Sequence, residues 1–155
     1  MKQLKLTDGR TLEYEDNGVK SDKAILFLHG TPGSIKTWSK WLAQVTGCLA
    51  IAASRAGYGK SDRHFGRTVA DDLADQQSLL DHFHIKEFVA IGWSGGGPHS
   101  INMTRDLRCK GAITLAGVAE WGHADLDFLA GMGPENEEEF GVALNGEAAL
   151  QGWMV

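Results

Sequence analysis

The chain reads Gly92-Trp93-Ser94-Gly95-Gly96 where an apolar run meets a helix-forming segment. The run before this turn, Phe88–Ile91, is typical of a buried strand, and Gly97–Met103 after it begins a predicted helix. A serine between glycines at a strand-to-helix turn predicts a nucleophile elbow, in which a strained backbone lifts the serine hydroxyl clear of the sheet. Gly92 and Gly96 then lie where a Cβ would collide with the turn or with neighbouring elements. The alternative is a glycine-rich loop with an incidental serine.

Strand and helix patterns alternate on both sides of this turn. Ala24–Leu28, Cys48–Ala53 and Gly111–Ala116 are continuous apolar runs, which are typical of strands covered on both faces in a parallel sheet. Helical spacing of apolar residues follows the candidate N-caps Ser34 and Thr68. This alternation predicts an α/β fold, with right-handed βαβ units and a doubly wound, mostly parallel sheet.

The two ends of the chain depart from the alternating pattern. Near the N-terminus, apolar and polar residues alternate around Asp8–Gly9, which predicts an antiparallel hairpin at the edge of the sheet, each strand having one wet face. Toward the C-terminus, two short helices are predicted at Asp125–Met132 and Pro134–Gly146. We therefore assign residues 1–117 to the sheet-containing core and residues 118–155 to the start of a helical lid or cap.

Composition excludes several classes of partner. The 155 residues suffice for one domain with a core, and the net charge of −5 without a basic stripe argues against nucleic acid or an anionic membrane as a partner. No apolar run is long enough to cross a bilayer, and the N-terminus lacks the apolar region of a signal peptide. We therefore expect a cytoplasmic protein.

No cofactor or metal is expected from the sequence. The histidines lack ligand spacing with cysteines or carboxylates, and Gly95-Gly96-Gly97 lacks the layout of a phosphate-binding loop. Cys48 and Cys109 border apolar runs, so we interpret both as small buried hydrophobic residues.

The loops that follow the strands are expected to share one rim. In open α/β sheets, ligands bind at the carboxyl ends of the strands. The segments after the predicted strand ends are His29–Gly33, Arg55–Asp62, Trp93–Gly97 and Gly117–Trp121. These segments are therefore the candidate walls of a binding site.

Three motifs in this order resemble the α/β-hydrolase superfamily: His29–Gly33 (HGTPG), Ser54–Asp62 (SRAGYGKSD) and Gly92–Gly96 (GWSGG). Similarity is strongest to small bacterial serine hydrolases related to proline iminopeptidases, haloperoxidases and carboxylesterases. The resemblance covers nearly the whole chain, and it is specific for the fold but nearly silent on the substrate. It implies an incomplete α/β-hydrolase core.

The resemblance implies a role for each of several residues. Ser94 is the expected nucleophile, and the backbone N–H groups of Thr31 and Gly95 are the expected oxyanion hole. Trp93 and Gly30 are expected to line the pocket, although packing under the elbow is an alternative for Trp93. Dehalogenase and epoxide hydrolase chemistry is not expected, because those relatives carry aspartate where Ser94 stands.

Other residues of the motifs are expected to be structural. His29 is expected to pack and hydrogen-bond rather than act as a base, and the bond before Pro32 is expected to be cis. In the Arg55–Asp62 loop, Asp62 is expected to bind its own backbone and Arg55 to pair with a carboxylate.

The sequence departs from the family pattern after the serine. A serine hydroxyl needs a general base oriented by a carboxylate, and in this family the acid and the histidine follow the serine on strands beyond the lid. No strand-like run follows Ala116, so both groups are expected on a missing C-terminal segment or a second polypeptide of the same hydrolase. The alternative base is His123, with Glu120, Asp125 or Asp127 to orient it.

The sequence thus predicts a serine hydrolase that cleaves a small ester, amide or related acyl compound through an acyl-enzyme on Ser94. An esterase is favoured over an aminopeptidase, because the elbow differs from the usual iminopeptidase form. The alternative function is a truncated, inactive interaction module or remnant.

Overall fold

A computed structural model of the protein describes residues 1–154. It divides the chain into two compact units, residues 1–118 and the residues from 119 onward. The assignment of residues 118–155 to a lid stays a prediction. Among the described residues, no helix has the length and apolar character needed to cross a bilayer.

A six-stranded mixed sheet forms the first unit, in the order β1-β2-β4-β3-β5-β6. The strands are β1 (Lys2–Lys5), β2 (Thr11–Asp16), β3 (Lys23–Leu28), β4 (Leu49–Ala53), β5 (Glu87–Trp93) and β6 (Cys109–Leu115). The last four strands are parallel to one another, whereas β1 and β2 join the sheet in antiparallel fashion. The predicted fold class is confirmed, and β3 lies at the centre of the sheet.

The N-terminal hairpin forms around the predicted turn, where Gly9 has a φ of 88°. Of the two hairpin strands, β1 lies at the edge of the sheet and β2 does not, because β2 pairs with β1 on one side and with β4 on the other. The expectation that β2 has a wet face is wrong: Leu12, Glu13 and Tyr14 are all buried. The alternation of apolar and polar residues in β2 predicted that Glu13 faces solvent. Glu13 is instead buried among polar partners from a neighbouring loop.

The helices are shorter than the sequence predicts. They are α1 (Ser39–Leu42), α2 (Asp72–His82), α3 (Gly97–Asn102), α4 (Pro134–Ala143) and α5 (Glu147–Trp153), with 3-10 turns at Ile35–Thr37, Ser94–Gly96 and Met103–Arg105. Ser34 caps the first of these turns as predicted, its side chain accepting from the Lys36 N–H at 3.4 Å. Thr68 is not a helix cap: its N–H and hydroxyl both donate to Asp71, and α2 begins at Asp72.

The C-terminal prediction is correct for one of its two helices. Pro134 lies in the first turn of α4, where its missing N–H is tolerated. Residues 125–132 form turns rather than the predicted helix, and α5 is an additional helix. Trp121, Phe128 and Phe140 pack edge-to-face within this second unit, with ring centroids 4.9 Å apart for each neighbouring pair.

Both faces of the sheet are covered by apolar packing. On one face, Leu26 and Leu28 of β3 pack with Leu79 and Leu80 of α2. On the other face, Phe27 packs against Trp38 and other residues of the first helical segment. Burial on both faces explains why β3 and β4 are continuous apolar runs. The expectation that the run Gly111–Ala116 is covered on both faces is wrong for β6, which lies at the edge of the described sheet with most of its residues exposed.

Replacing Leu26 by alanine tests this packing, because Leu26 is 0% exposed at the centre of the sheet. We expect Leu26→Ala to lower the free energy of unfolding by about 2–5 kcal/mol. Leu107, which is 97% exposed, provides the matched control, and Leu107→Ala is expected to change stability by less than about 0.5 kcal/mol. Urea unfolding followed by circular dichroism measures both, and equal effects would contradict the assigned core.

Candidate active site

The predicted elbow forms at the carboxyl end of β5. Ser94 follows the strand directly with a φ of 51°, a left-handed conformation that is rare for a residue with a side chain. A Cβ on Gly92 would collide with the carbonyl of Gly96, and a Cβ on Gly96 would collide with the carbonyls of Leu28 and His29. The glycines therefore allow the elbow to sit directly on the end of β3, and the strain at Ser94 is held by its surroundings.

The loop after β3 lies against the elbow. A Cβ placed on Gly95 would lie 2.7 Å from the Thr31 hydroxyl and 3.1 Å from the Thr31 backbone nitrogen. The two segments that carry the predicted oxyanion donors are therefore neighbours in space. The peptide bond between Thr31 and Pro32 is cis, as expected.

Trp93 and Gly30 also meet at this site. A Cβ on Gly30 would lie 3.0 Å from the Trp93 ring and 3.3 Å from the Ser94 Cβ. Trp93 is 43% exposed, so its ring is not packed into the core beneath the elbow. An apolar surface thus lies beside the serine.

Three of the four predicted rim segments come together, and part of the fourth joins them. The His29–Gly33 loop contacts the elbow and is bound by Arg55 from the loop after β4. Gly117 approaches Gly97 closely, since a Cβ on Gly97 would lie 2.8 Å from the Gly117 Cα. The end of the fourth segment, from residue 119 onward, belongs to the second unit.

His29 is buried, and both nitrogens of its ring form hydrogen bonds. Its Nδ1 donates to the Gly30 carbonyl at 2.7 Å, and its Nε2 accepts from the Arg55 backbone N–H at 3.0 Å. This pairing fixes the neutral tautomer that is protonated on Nδ1. Burial, and then the nearby charge of Arg55, lower the pKa of His29 to about 3. Neither nitrogen is free to take a proton from Ser94.

The Arg55 side chain is fully buried and does not form the carboxylate pair that the sequence predicts. Its guanidinium donates to the carbonyls of His29 and Gly30 and to the Thr31 hydroxyl. Burial lowers the pKa of Arg55, while the charge of Asp72 opposes that shift. The group stays protonated, as guanidinium groups do in proteins.

Asp62 also differs from its prediction. Its carboxylate accepts from the Thr11 N–H of β2 at 2.7 Å rather than binding its own loop. Glu13 of the same strand accepts from the Ser54 hydroxyl at 2.8 Å and from the Lys60 N–H at 3.0 Å. The loop after β4 is therefore tied to β2 by side chains of both segments.

A buried acid–base pair lies behind the elbow, and the sequence analysis missed it. The Nδ1 of His99 in α3 lies 2.8 Å from a carboxylate oxygen of Asp72 in α2, and both residues are buried. Burial alone would raise the pKa of Asp72, but the hydrogen bond and charge of His99 and the charge of Arg55 hold it below its ordinary value. The only available signal was an aspartate at the start of a helix, which usually indicates a solvated position.

None of the histidines in the first unit contacts the Ser94 hydroxyl, which has no hydrogen-bond partner among residues 1–154. His82 lies 3.4 Å from the Tyr14 hydroxyl, and His99 is paired with Asp72. His123, the alternative base, lies in the second unit, where its Nδ1 accepts from the Asp125 N–H at 3.3 Å. Within the same described residues, no group of three potential ligands is placed to hold a metal ion.

Because the elbow contacts the end of β3 closely, we expect alanine at Gly96 to destabilise the fold and alanine at an uncrowded glycine to have little effect. Gly96→Ala places a Cβ against two backbone carbonyls, so we expect a loss of at least about 2 kcal/mol in the free energy of unfolding. Gly111, a strand glycine with open space around its Cβ position, is the control, and Gly111→Ala should be neutral or stabilising by about 0.5 kcal/mol. Thermal unfolding of both variants checks this, and a neutral Gly96→Ala would contradict the contact.

The neutral state of His29 predicts a pH dependence of stability. Between pH 6.5 and 3 the unfolded chain binds a proton at His29 that the folded chain does not, so stability falls as pH falls through this window. The slope from this residue is about 1.4 kcal/mol per pH unit. Asp72 adds its own loss only at lower pH, because its contribution disappears below the pKa of an unfolded aspartate.

Urea midpoints of wild type and His29→Gln at pH 7.5, 6 and 5 measure this slope. The variant keeps a donor and an acceptor but does not titrate, so its stability should fall by about 2 kcal/mol less than that of wild type between pH 7.5 and 5. His84→Asn is the control, because His84 is exposed and asparagine tolerates its φ of 55°. Parallel curves for wild type and His29→Gln would show that His29 is not held neutral.

Known proteins share both the sequence pattern and the architecture. A family model described as the alpha/beta hydrolase fold matches residues 23–143. The uncharacterised hydrolase YcgS of Bacillus subtilis (strain 168) is 34% identical over 95 residues, which are 61% of this chain and 33% of that protein. A probable proline iminopeptidase of Leptolyngbya boryana is 32% identical over 121 residues, covering 70% of this chain and 35% of that protein.

Solved structures give the same fold. The epoxide hydrolase CorEH without ligand matches 96% of this chain and 53% of its own chain, with a TM-score of 0.78 at 21% identity, a likeness of fold alone. The chain spans about a third of the length of the curated relatives it matches. The elbow, the loop beside it and the parallel sheet thus occur together with a family match over most of the sequence, and the chain belongs to the α/β-hydrolase fold family.

Proposed function

We propose that this chain carries the nucleophile and oxyanion hole of a serine hydrolase that cleaves a small ester or amide through an acyl-enzyme on Ser94. The observation that carries the proposal is the contact between the Thr31 loop and the elbow, next to a strained serine at the end of β5. A reacting carbonyl bound there would have the serine hydroxyl on one side and two backbone N–H groups near its oxygen.

The proposed reaction is an acyl transfer in two steps, acylation of Ser94 and hydrolysis of the acyl-enzyme. The Ser94 oxygen adds to the carbonyl carbon while its proton passes to a base, and the carbonyl oxygen becomes negative. The N–H groups of Thr31 and Gly95 stabilise this oxyanion, and loss of one such donor typically costs about 10²–10³ in kcat. The leaving group departs with the proton, and water then hydrolyses the acyl-enzyme by the same steps in reverse.

The proposal places the acid and the histidine on a complementary C-terminal polypeptide of the same hydrolase. Supporting this, β6 is paired only with β5 among the described residues, and its Ile113 and Leu115 side chains are 47% and 45% exposed. An exposed strand edge with apolar side chains is a template for a further strand. A small-molecule acyl substrate and this polypeptide are the two proposed partners.

The surroundings of Ser94 favour an ester of an apolar acid. The exposed Trp93 ring and the absence of a side chain at Gly30 provide an apolar wall with room for an acyl group. Several relatives of this fold are epoxide hydrolases by name, but a serine at the elbow supports attack on a carbonyl carbon. The alternative function, an inactive interaction module, is favoured by the Ser94 hydroxyl, which has no hydrogen-bond partner in the part of the chain that the structure describes.

The proposal predicts covalent labelling at one residue. The protein, with every polypeptide that copurifies with it, should gain one fluorophosphonate adduct, and peptide mapping should place it on Ser94. Ser94→Ala should abolish the adduct and lower kcat/KM for a p-nitrophenyl ester by at least about 10⁴-fold. Intact mass spectrometry under denaturing and native conditions measures the adduct and any second polypeptide.

Ser78→Ala is the matched control, because Ser78 is half-buried in α2 and its hydroxyl donates to the Ala74 carbonyl of the same helix. This variant should label like wild type. A single polypeptide that never labels at Ser94 would contradict the hydrolase proposal and favour the interaction module.

A further inference from the structure

We infer that Arg55 is a positioning residue for the oxyanion hole, holding the Thr31 loop in the geometry that aims its N–H at the reacting oxygen. The inference rests on the proposed function, since it assigns a supporting residue to the same site. Arg55 itself does not reach the site, so it acts through the loop.

Arg55 binds the loop at three successive residues. The guanidinium donates to the carbonyl of His29, to the carbonyl of Gly30 at 3.1 Å and to the hydroxyl of Thr31 at 3.0 Å. Its backbone N–H also donates to the His29 ring. Three consecutive residues held from one rigid, planar group cannot rotate independently. The peptide plane between Gly30 and Thr31 carries both a bound carbonyl and the predicted oxyanion donor, so fixing the one orients the other.

The cost of burying the Arg55 charge indicates that this side chain does more than fill space in the core. A buried guanidinium that binds carbonyls and a hydroxyl, rather than a carboxylate, is costly to bury, and its Nε has no hydrogen-bond partner in the described structure. The charge of Asp72, which is itself hydrogen-bonded to His99 of the helix that follows the elbow, opposes the effect of burial on the pKa of Arg55. Buried charged groups therefore lie against both segments that carry the proposed oxyanion donors: Arg55 binds the Thr31 loop, and Asp72 binds α3.

The Thr31 loop is held by hydrogen bonds from the Arg55 side chain. Thr31 and Pro32 are exposed, and the Thr31 hydroxyl accepts its hydrogen bond from Arg55. Loss of that bond frees the loop to move relative to Gly95. Misplacement of a catalytic group by about 1 Å costs up to about 10²-fold in rate.

The test uses the complete hydrolase, meaning this chain with the polypeptide that supplies the histidine, and compares Arg55→Lys, Thr31→Val and the double variant. Lysine keeps the charge but cannot bind three acceptors in one plane, and valine removes the hydroxyl while keeping the N–H. For a p-nitrophenyl ester, each single variant should lower kcat about 10- to 100-fold with KM within about threefold. Affinity for an aryl trifluoromethyl ketone, which forms an oxyanion with Ser94, should fall by the same factor as kcat.

The double variant should be no worse than the poorer single variant, because both remove one shared contact. Arg10→Lys is the control, since Arg10 binds Asp75 through both Nη atoms at 2.7 and 2.6 Å, away from the Thr31 loop. It should lower Tm while keeping kcat and ketone affinity within about twofold.

Unchanged kcat and ketone affinity in Thr31→Val would overturn the inference, even if Arg55→Lys does not fold. Multiplying effects in the double variant would also overturn it, because independent losses indicate a general structural role. If wild-type Ser94 is never labelled by fluorophosphonate, the proposed function fails instead, and this outcome is distinguished before any variant is made.

Discussion

A close backbone contact between Gly96 of the elbow and the carbonyls of Leu28 and His29, where β3 ends, governs the arrangement of the candidate site. Because no side chain intervenes, the serine that precedes Gly96 has one position relative to the central strand. The loop that leaves β3 must then pass beside the serine. Position and direction of both segments therefore follow from one contact between glycine and backbone, supported by the strained φ at Ser94.

Beneath this contact the protein uses buried polar groups where an apolar core would be expected. His29, Arg55, Asp72 and His99 are all buried and joined by hydrogen bonds or by charge. Apolar side chains can fill the same volume, but they cannot hold a loop that exposes its carbonyls inward. Buried carbonyls need donors, and a guanidinium provides several from one side chain. This requirement explains why an arginine, Arg55, stands in the loop that follows the alanine-rich strand β4.

Much of the fold follows from the sequence because its signals are local. Continuous apolar runs located the four parallel strands, and the glycine pattern located the elbow, since both depend on neighbours within a few residues. The partners of Arg55 and the burial of Glu13 were not predictable in this way. Their hydrogen bonds join segments from different parts of the chain, and an isolated charged residue usually indicates a solvated surface. The helix expected at residues 125–132 failed because a weak apolar stripe also suits a series of turns.

The strand order has a consequence for how the molecule is assembled during synthesis. β3 pairs with β4 across a short connection, but its other neighbour, β5, begins at Glu87, so the pairing of Lys23 with Glu87 closes a much longer loop than the pairing of Ala24 with Leu49. Closing a longer loop costs more conformational entropy, so this pairing is expected to form more slowly than a local one. We therefore expect the edge of β3 that faces β5 to be covered later than the edge that faces β4. The strand that completes the centre of the sheet also carries Ser94 at its end, so formation of the elbow is tied to closure of the sheet.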